Sequence, residues 1–242
     1  MRLTMIRRIL LIGAAALSLS ACGGNLLGPP DAGSIYPVRP VFTAPAAGAP
    51  VTWSLAILRP TVPGGLDSDR IALLQPDGSM DFYAKANLPD RAPNIIQSAL
   101  LEGFESSQRI AAVAREQDAL HADYNLVIEV KDFEAKYATP DGIPQAVVVM
   151  SAKLVTAHGR RIVETFIASQ SVSATANSAG ATAQALSQAL GAGVTQIVDW
   201  ALAAPPPLVD ADGASGKPAE QLLHDVTRGS NTLKPNGPGT PQ

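Results

Sequence analysis

The chain has 242 residues, 46% apolar and 16% charged, a balance that suits one folded domain or two small ones and excludes a wholly disordered polymer. The formal net charge is -3, falling to -6 once Arg2, Arg7 and Arg8 are removed with a leader, and aromatic residues make up 5%. No dense Lys/Arg stripe and few aromatics argue against nucleic acid, and against a membrane held by charge alone.

The first elements are at the N-terminus. Arg2, Arg7 and Arg8 precede an apolar run from Ile9 to Leu19. That run has the length of a signal-peptide core and is short for a bilayer span. Leu19-Ser20-Ala21-Cys22 follows, and Cys22 is the only cysteine in the chain. This order resembles the bacterial lipobox. The resemblance implies a signal peptide over 1–21, diacylglyceryl transfer to the Cys22 sulfur, cleavage before it and acylation of the new amino group. An unmodified lone cysteine would be an unpaired thiol in an oxidising compartment, whereas a thioether raises no such problem. Gly23 follows, with no Asp at that position. By resemblance to lipoprotein sorting in enterobacteria, this implies the outer membrane rather than inner-membrane retention.

Residues 22–50 are dominated by Pro, Gly and Ala and sustain no helix or strand period. They read as a tether. Residues 204–242, rich in the same breakers, read as a disordered tail. The folded domain is expected over 51–203.

Within it, Val51, Trp53, Leu55 and Ile57 alternate as on a strand. Strands near 70–74 and 80–83 flank an Asp77-Gly78 turn, which predicts a hairpin. A helix is expected over 89–107, capped by Asp90 or Asn94, with Ile96, Leu100 and Phe104 as its apolar stripe. A short strand at 110–113 follows. Tyr124 to Tyr137 is the clearest strand. Its apolar parity changes from Tyr124, Leu126, Ile128 and Val130 to Phe133, Ala135 and Tyr137. A period of two can do that only through a bulge, a bend or a change of neighbour. Residues 146–156 and 160–173 predict a hairpin about His158-Gly159. Leu186, Leu190, Val194, Ile197 and Ala201 predict a last helix over 181–202, capped by Asn177 or Ser178 and weakened intrinsically by Gly191 and Gly193. Together these give an α+β, two-layer domain: a largely antiparallel sheet of five to seven strands with two main helices on one face.

The search for chemistry is negative. His121, His158 and His224 have no metal-site spacing, and no nucleophile elbow, phosphate loop or dinucleotide loop occurs. Asp67/Asp69 and Glu102/Glu105 read as solvated or locally paired acids. No catalytic, cofactor-binding or metal residue is assigned, no cofactor is expected, and an enzyme is not expected.

Three segments carry a family resemblance: "GLDSDRIALLQPDGSMDFYAKANLPDRAPNIIQSALLEGFESS" (65–107), "ADYNLVIEVKDFEA" (122–135) and "SAKLVTAHGRRIVETFIASQSV" (151–172). A L-x-x-x-R-I run is Leu66 to Ile71. A Y-x-x-A-x-W-x-D-x-x-P run is Tyr83, Ala86, Asp90 and Pro93, with Leu88 where the tryptophan stands. A closing V-x-W is Val198 to Trp200. In these the chain resembles the ABC-type transport auxiliary lipoproteins, the lipoprotein partners of paraquat-inducible and other MCE-type systems. The resemblance implies a periplasm-facing accessory subunit that docks on an MCE-domain protein, and through it on an ABC permease and ATPase, to move phospholipid or other hydrophobic cargo between membranes. A lipid carrier, or an envelope lipoprotein serving secretion or polysaccharide export, is the alternative. Homo-oligomerisation is compatible with the sequence. Loops on a rigid scaffold carry function, so the candidate docking residues are Asp67, Arg70, Leu88, Asp90 and Arg91.

Overall fold

A computed structural model describes residues 33–43, 48–118, 121–158 and 160–206. The unit considered below ends at Pro205. Cys22, the lipobox and most of the C-terminal segment lie outside the described residues.

The domain is α+β, an eight-stranded sheet with two helices against it. The strands are β1 (Ser34–Ile35), β2 (Val51–Ile57), β3 (Arg70–Leu74), β4 (Met80–Asn87), β5 (Ile110–Arg115), β6 (Tyr124–Lys136), β7 (Gln145–Thr156) and β8 (Ile162–Ser173). The helices are α1 (Ala92–Ser107) and α2 (Ala179–Leu202), with a 3-10 turn at Gly64–Leu66. Seven strands fall where the sequence placed them, and β1 is the addition.

β6 organises the sheet. Along one edge it pairs antiparallel with β7 from Tyr124↔Thr156 to Lys136↔Gln145. Along the other it serves two neighbours in turn, both parallel: β2 at its start (Leu55↔Tyr124) and β3 at its end (Leu73↔Ala135). β5 extends the β2 branch in parallel, β4 extends the β3 branch antiparallel, and β8 extends β7 antiparallel. The three antiparallel pairings are the hairpins marked by turn residues. The β3–β4 turn shows why: Gly78 has φ 83, and the Asp77 carboxylate accepts from Ser79 N and Oγ at 2.9 and 2.6 Å.

The parity change in β6 is a bulge. Val130 pairs Met150 and Asp132 pairs Val149, so Lys131 and Asp132 together face one residue of β7. Before the bulge the even positions point inward; after it Phe133, Ala135 and Tyr137 do, opposite Val148 and Ala146.

Both helices cover the same face. α1 carries Ile96, Leu100 and Phe104, all fully buried, and its Gln97 donates Nε2 to the Ile57 carbonyl at 3.0 Å, tying it to the end of β2. α2 begins at Ser178, whose Oγ accepts from Ala181 N, and buries Leu186, Leu190, Val194 and Ile197 over the sheet. Gly191 lies where a Cβ would meet the Val41 carbonyl oxygen at 2.5 Å. The lost helix propensity is thus the condition for a close backbone crossing by the segment before β2. That segment, 33–43, falls within the stretch read as a tether, yet it packs on the domain: Tyr36 N donates to Asn87 O, Arg39 N donates to Ser187 Oγ, and Val38 is buried.

A hydroxyl chain closes the bottom of the sheet against α2. Tyr137 donates to Asn177 Oδ1 at 2.7 Å, because that oxygen can only accept. Tyr83 then donates to Tyr137 Oη at 2.9 Å, and Thr182 donates to Tyr83 Oη at 2.9 Å. Burial pushes the Tyr137 phenol well above its usual range, and the Tyr83 hydrogen bond adds to the shift. Tyr83 reaches this position because β4 takes five steps from Phe82 to Asn87 where β3 takes two from Ala72 to Arg70, with Lys85 at φ 55 in the excursion. Tyr83→Phe leaves the fully buried Thr182 hydroxyl and the Tyr137 oxygen short of a partner. It should lower unfolding free energy by about 1–2 kcal/mol in urea titration.

Glu134, 4% exposed, follows the bulge and lies 3.6 Å from Lys136 Nζ. Burial raises its carboxyl pKa despite the pull of Lys136, and Asp132 pushes the same way as burial. A raised carboxyl pKa means that ionising this group is harder in the folded state. The cost is absent below the unfolded pKa, about 4.3, and sets in as pH rises through that value to the folded one. Glu134→Gln should therefore be more stable than the parent at neutral pH, with the difference vanishing near pH 4 when urea midpoints are compared.

Candidate functional site

The five candidate residues come from two segments about twenty residues apart, and the fold stitches those segments together. Leu88 N donates to Asp69 O at 2.6 Å, and Ala92 N donates to Ser68 O at 3.1 Å. The β3–β4 pairing adds Arg70↔Asn87. The turn before β3 and the first residues of α1 therefore form one surface.

On that surface the side chains close a polar ring. Asp67 Oδ1 accepts from Arg91 Nη1 at 3.2 Å and from Arg59 Nη2 at 3.4 Å. Arg59 Nε donates to Asn94 Oδ1 at 3.2 Å. Asn94 Nδ2 in turn donates to Asp90 Oδ1 at 3.0 Å, which also accepts from Arg91 N at 2.7 Å. Arg59 and Asn94 are the members that sequence reasoning did not single out. Asn94 had been considered only as a helix cap, and Arg59 follows β2 with no local pattern to mark it.

The helix start explains the ring's placement. Arg91, and neither Asp90 nor Asn94, is the N-cap residue and makes no side-chain cap, because Pro93 sits in the first turn, where its missing N–H costs nothing. The Arg91 guanidinium is thus available to Asp67. Arg70 lies apart from the ring, with its guanidinium 4.2 Å above the Phe82 ring centre. Leu88 is 2% exposed and belongs to the core, so it supports the surface from beneath.

Beside the ring is a cleft of about 450 Å³ between the 38–40 segment and α1, lined by Arg39, Asp90, Asn94, Ser98 and Glu102 among others. Its walls carry charges of both signs, Arg39 from the 38–40 segment facing Asp90 before α1 and Glu102 on it. Such an arrangement can hold a polar peptide segment by complementary ion pairs. Among the described residues no three His, Cys, Asp or Glu side chains gather as metal ligands.

The geometry also gives the Y-x-x-A-x-x-x-D-x-x-P run its physical meaning. Tyr83 anchors the hydroxyl chain, Ala86 is buried where β1 pairs with β4, Asp90 orders the helix start, and Pro93 opens the helix. The signal for Tyr83 was its place at the head of that run.

The family described as the ABC-type transport auxiliary lipoprotein component matches residues 37–198. An uncharacterised protein of Bradyrhizobium diazoefficiens is 31% identical over 134 residues, 54% of this chain and 35% of that protein, so the match spans about a third of that relative. The crystal structure of protein XCC0632 from Xanthomonas campestris, of the DUF330 family, has 30% identity and a TM-score of 0.65, and the match covers 70% of this chain and 94% of that one. A further uncharacterised crystal structure, 12% identical with a TM-score of 0.54, covers 69% of this chain and 99% of its own; it shares the fold. With the family pattern running from Pro37 to Val198, two thirds of the sequence, the chain belongs to the ABC-type transport auxiliary lipoproteins.

Proposed function

We propose that this protein is the lipid-anchored, periplasm-facing accessory subunit of an MCE-type ABC transport system that moves phospholipid or another hydrophobic cargo between membranes. It acts by docking on the MCE-domain protein. Its own part is recognition and not a reaction, in keeping with a family described by a transport role. Attachment is through the thioether and amide at Cys22, with the outer membrane favoured by Gly23 at the sorting position. Two or more acyl chains give stable anchoring where one gives only marginal binding.

The observation that carries the docking role is the convergence of Asp67, Asp90 and Arg91, joined by Arg59 and Asn94, into one half-exposed polar ring beside the 38–40 cleft. The Asp67 pairs are open to water, with side-chain exposures of 33% for Asp67, 46% for Arg59 and 58% for Arg91. Pairs of this kind contribute at most about 1 kcal/mol to stability, so the ring can be altered without unfolding the domain. In the partner's grip the same charges are desolvated and their removal is felt strongly.

Affinity purification of the full-length protein from solubilised membranes should recover MCE-domain proteins. Asp67→Ala combined with Arg91→Ala should reduce that recovery at least tenfold while shifting the unfolding free energy by no more than about 1 kcal/mol. Wild-type protein recovered without any MCE-domain protein would overturn the partnership. Undiminished recovery by the double variant would overturn the placement of the docking surface.

The anchor has its own test. Cys22→Ser should move the protein from the membrane pellet to the soluble fraction after a high-salt wash. A variant that stays with the membrane is held by something other than the Cys22 lipid.

A further inference from the structure

The 33–43 segment is seated along its length. Gly33 lies against the β4 excursion, where a Cβ would meet the Lys85 carbonyl carbon and oxygen at 3.0 Å. Ser34 and Ile35 then pair with Ala86 and Asn87, and Tyr36 N donates to Asn87 O at 2.7 Å. Beyond Tyr36 the chain follows α2. The Tyr36 ring lies against Gly180, Arg39 N donates to Ser187 Oγ, and the Val41 backbone crosses Gly191. From Gly180 to Gly191 the helix rises about 17 Å. Five extended steps from Tyr36 to Val41 cover about 17 Å as well. The small residues Gly180, Ser187 and Gly191 therefore form a lane that fits this segment, and Phe42 closes it against Gly103 of α1.

This seat shortens the tether. A wholly free stretch from Cys22 to Val51 would let the domain wander about 100 Å from its anchor. With the chain held from Gly33 onward, eleven residue steps separate Cys22 from the first fixed point. A chain of that length reaches at most about 40 Å, whatever path it takes. The fixed point is a corner of the sheet. β1 is the outermost strand of its branch, and its Ile35 is 65% exposed. Through β4 and β3 this corner stands beside the second half of β6. The β7–β8 turn, with His158, lies past the first residue of β6, Tyr124, at the other end of the sheet.

We infer that the β1 corner is the membrane-facing surface of the domain: given the Cys22 lipid proposed for this chain, the seated 33–43 segment holds this corner against the anchoring bilayer and turns Ile35 toward its headgroups. The length of chain between Cys22 and Gly33, and the place where that chain meets the domain, select this occupant. No other part of the domain is tied so closely to the anchor. Lost seating would lengthen the leash and free the domain to turn, so the contacts of Gly33 and Tyr36 set both the distance and the orientation.

The test uses full-length protein in vesicles of phosphatidylethanolamine and phosphatidylglycerol, with an energy-transfer acceptor on a fraction of the headgroups. Intact mass first establishes the lipid on Cys22. A single donor dye is then placed through Ile35→Cys, Ala84→Cys or His158→Cys, all exposed positions. Transfer should be greatest from Ile35, close to that from Ala84 on the neighbouring β4 excursion, and at least twofold weaker from His158. Tyr36→Pro removes the donor to Asn87 O and loosens β1 from β4. It should cut transfer from Ala84 by half or more while transfer from Ile35 is kept. Equal transfer from all three sites, or more from His158 than from Ile35, overturns the proposal. So does unchanged transfer from Ala84 in the Tyr36→Pro chain. Protein that carries no lipid by mass overturns the anchor and this proposal together, whereas lipidated protein with uniform transfer overturns this proposal alone. If the Tyr36→Pro variant does not fold, the three-dye comparison decides. None of these results depends on whether an MCE-domain protein is recovered.

Discussion

The fold depends on one strand serving two neighbours along a single edge. β6 runs thirteen residues, takes β7 along its whole length on one side, and on the other takes β2 first and β3 afterwards. A single unbroken parity cannot satisfy both halves, since the inward residues are even-numbered before Lys131 and odd-numbered after it. The bulge at Lys131 resolves this with one extra residue. It lets Tyr124, Leu126, Ile128 and Val130 pack beneath the helices, and then turns Phe133, Ala135 and Tyr137 to the same face. Each large apolar side chain so buried contributes about 1.5–3 kcal/mol relative to exposure.

The two halves of β6 have different duties. The first half, with β2, β5 and α1, contributes apolar core residues such as Leu55, Ile57, Ile96, Leu100 and Leu126, and the Gln97 side chain donates to the Ile57 carbonyl among them. The second half holds β3 and β4, and with them the surface on which Asp67, Arg70 and Arg91 sit. The Tyr83–Tyr137 bond and its extension to Thr182 lock that branch to the start of α2. The polar ring is thus displayed by a branch whose position is fixed by directed hydrogen bonds and by the register set at the bulge.

Much of this was legible in the sequence because it is local. Alternation placed seven strands, helical stripes placed both helices, Asp77-Gly78 announced its hairpin, and the parity change in 124–137 called for a bulge, a bend or a change of neighbour, of which the structure shows the bulge. What was not legible depends on distant pairing. β1 has no period of its own; its order comes from the parallel contact of Ser34 and Ile35 with Ala86 and Asn87. The 33–43 segment resembles a tether in composition, and its packing becomes intelligible only once Gly191 is seen to admit the Val41 backbone. Gly159 lies outside the described residues, and the positive φ near that turn is at Arg160, φ 49. At the surface, the pairing of Asp67 with Arg91 was latent in the nearness of two turns, but Arg59 and the burial of Leu88 required the folded chain.

The most direct test of this account is deletion of Lys131, followed by urea unfolding and by ultraviolet titration of the tyrosines. Removing the extra residue forces Phe133 and Tyr137 to the outer face or breaks the pairing with β3. A cooperative transition should be lost or its midpoint sharply reduced, and the Tyr137 phenol should return to its ordinary titration range. An unchanged midpoint, with that phenol still resisting ionisation, would contradict the claim that the bulge sets the register of the whole domain.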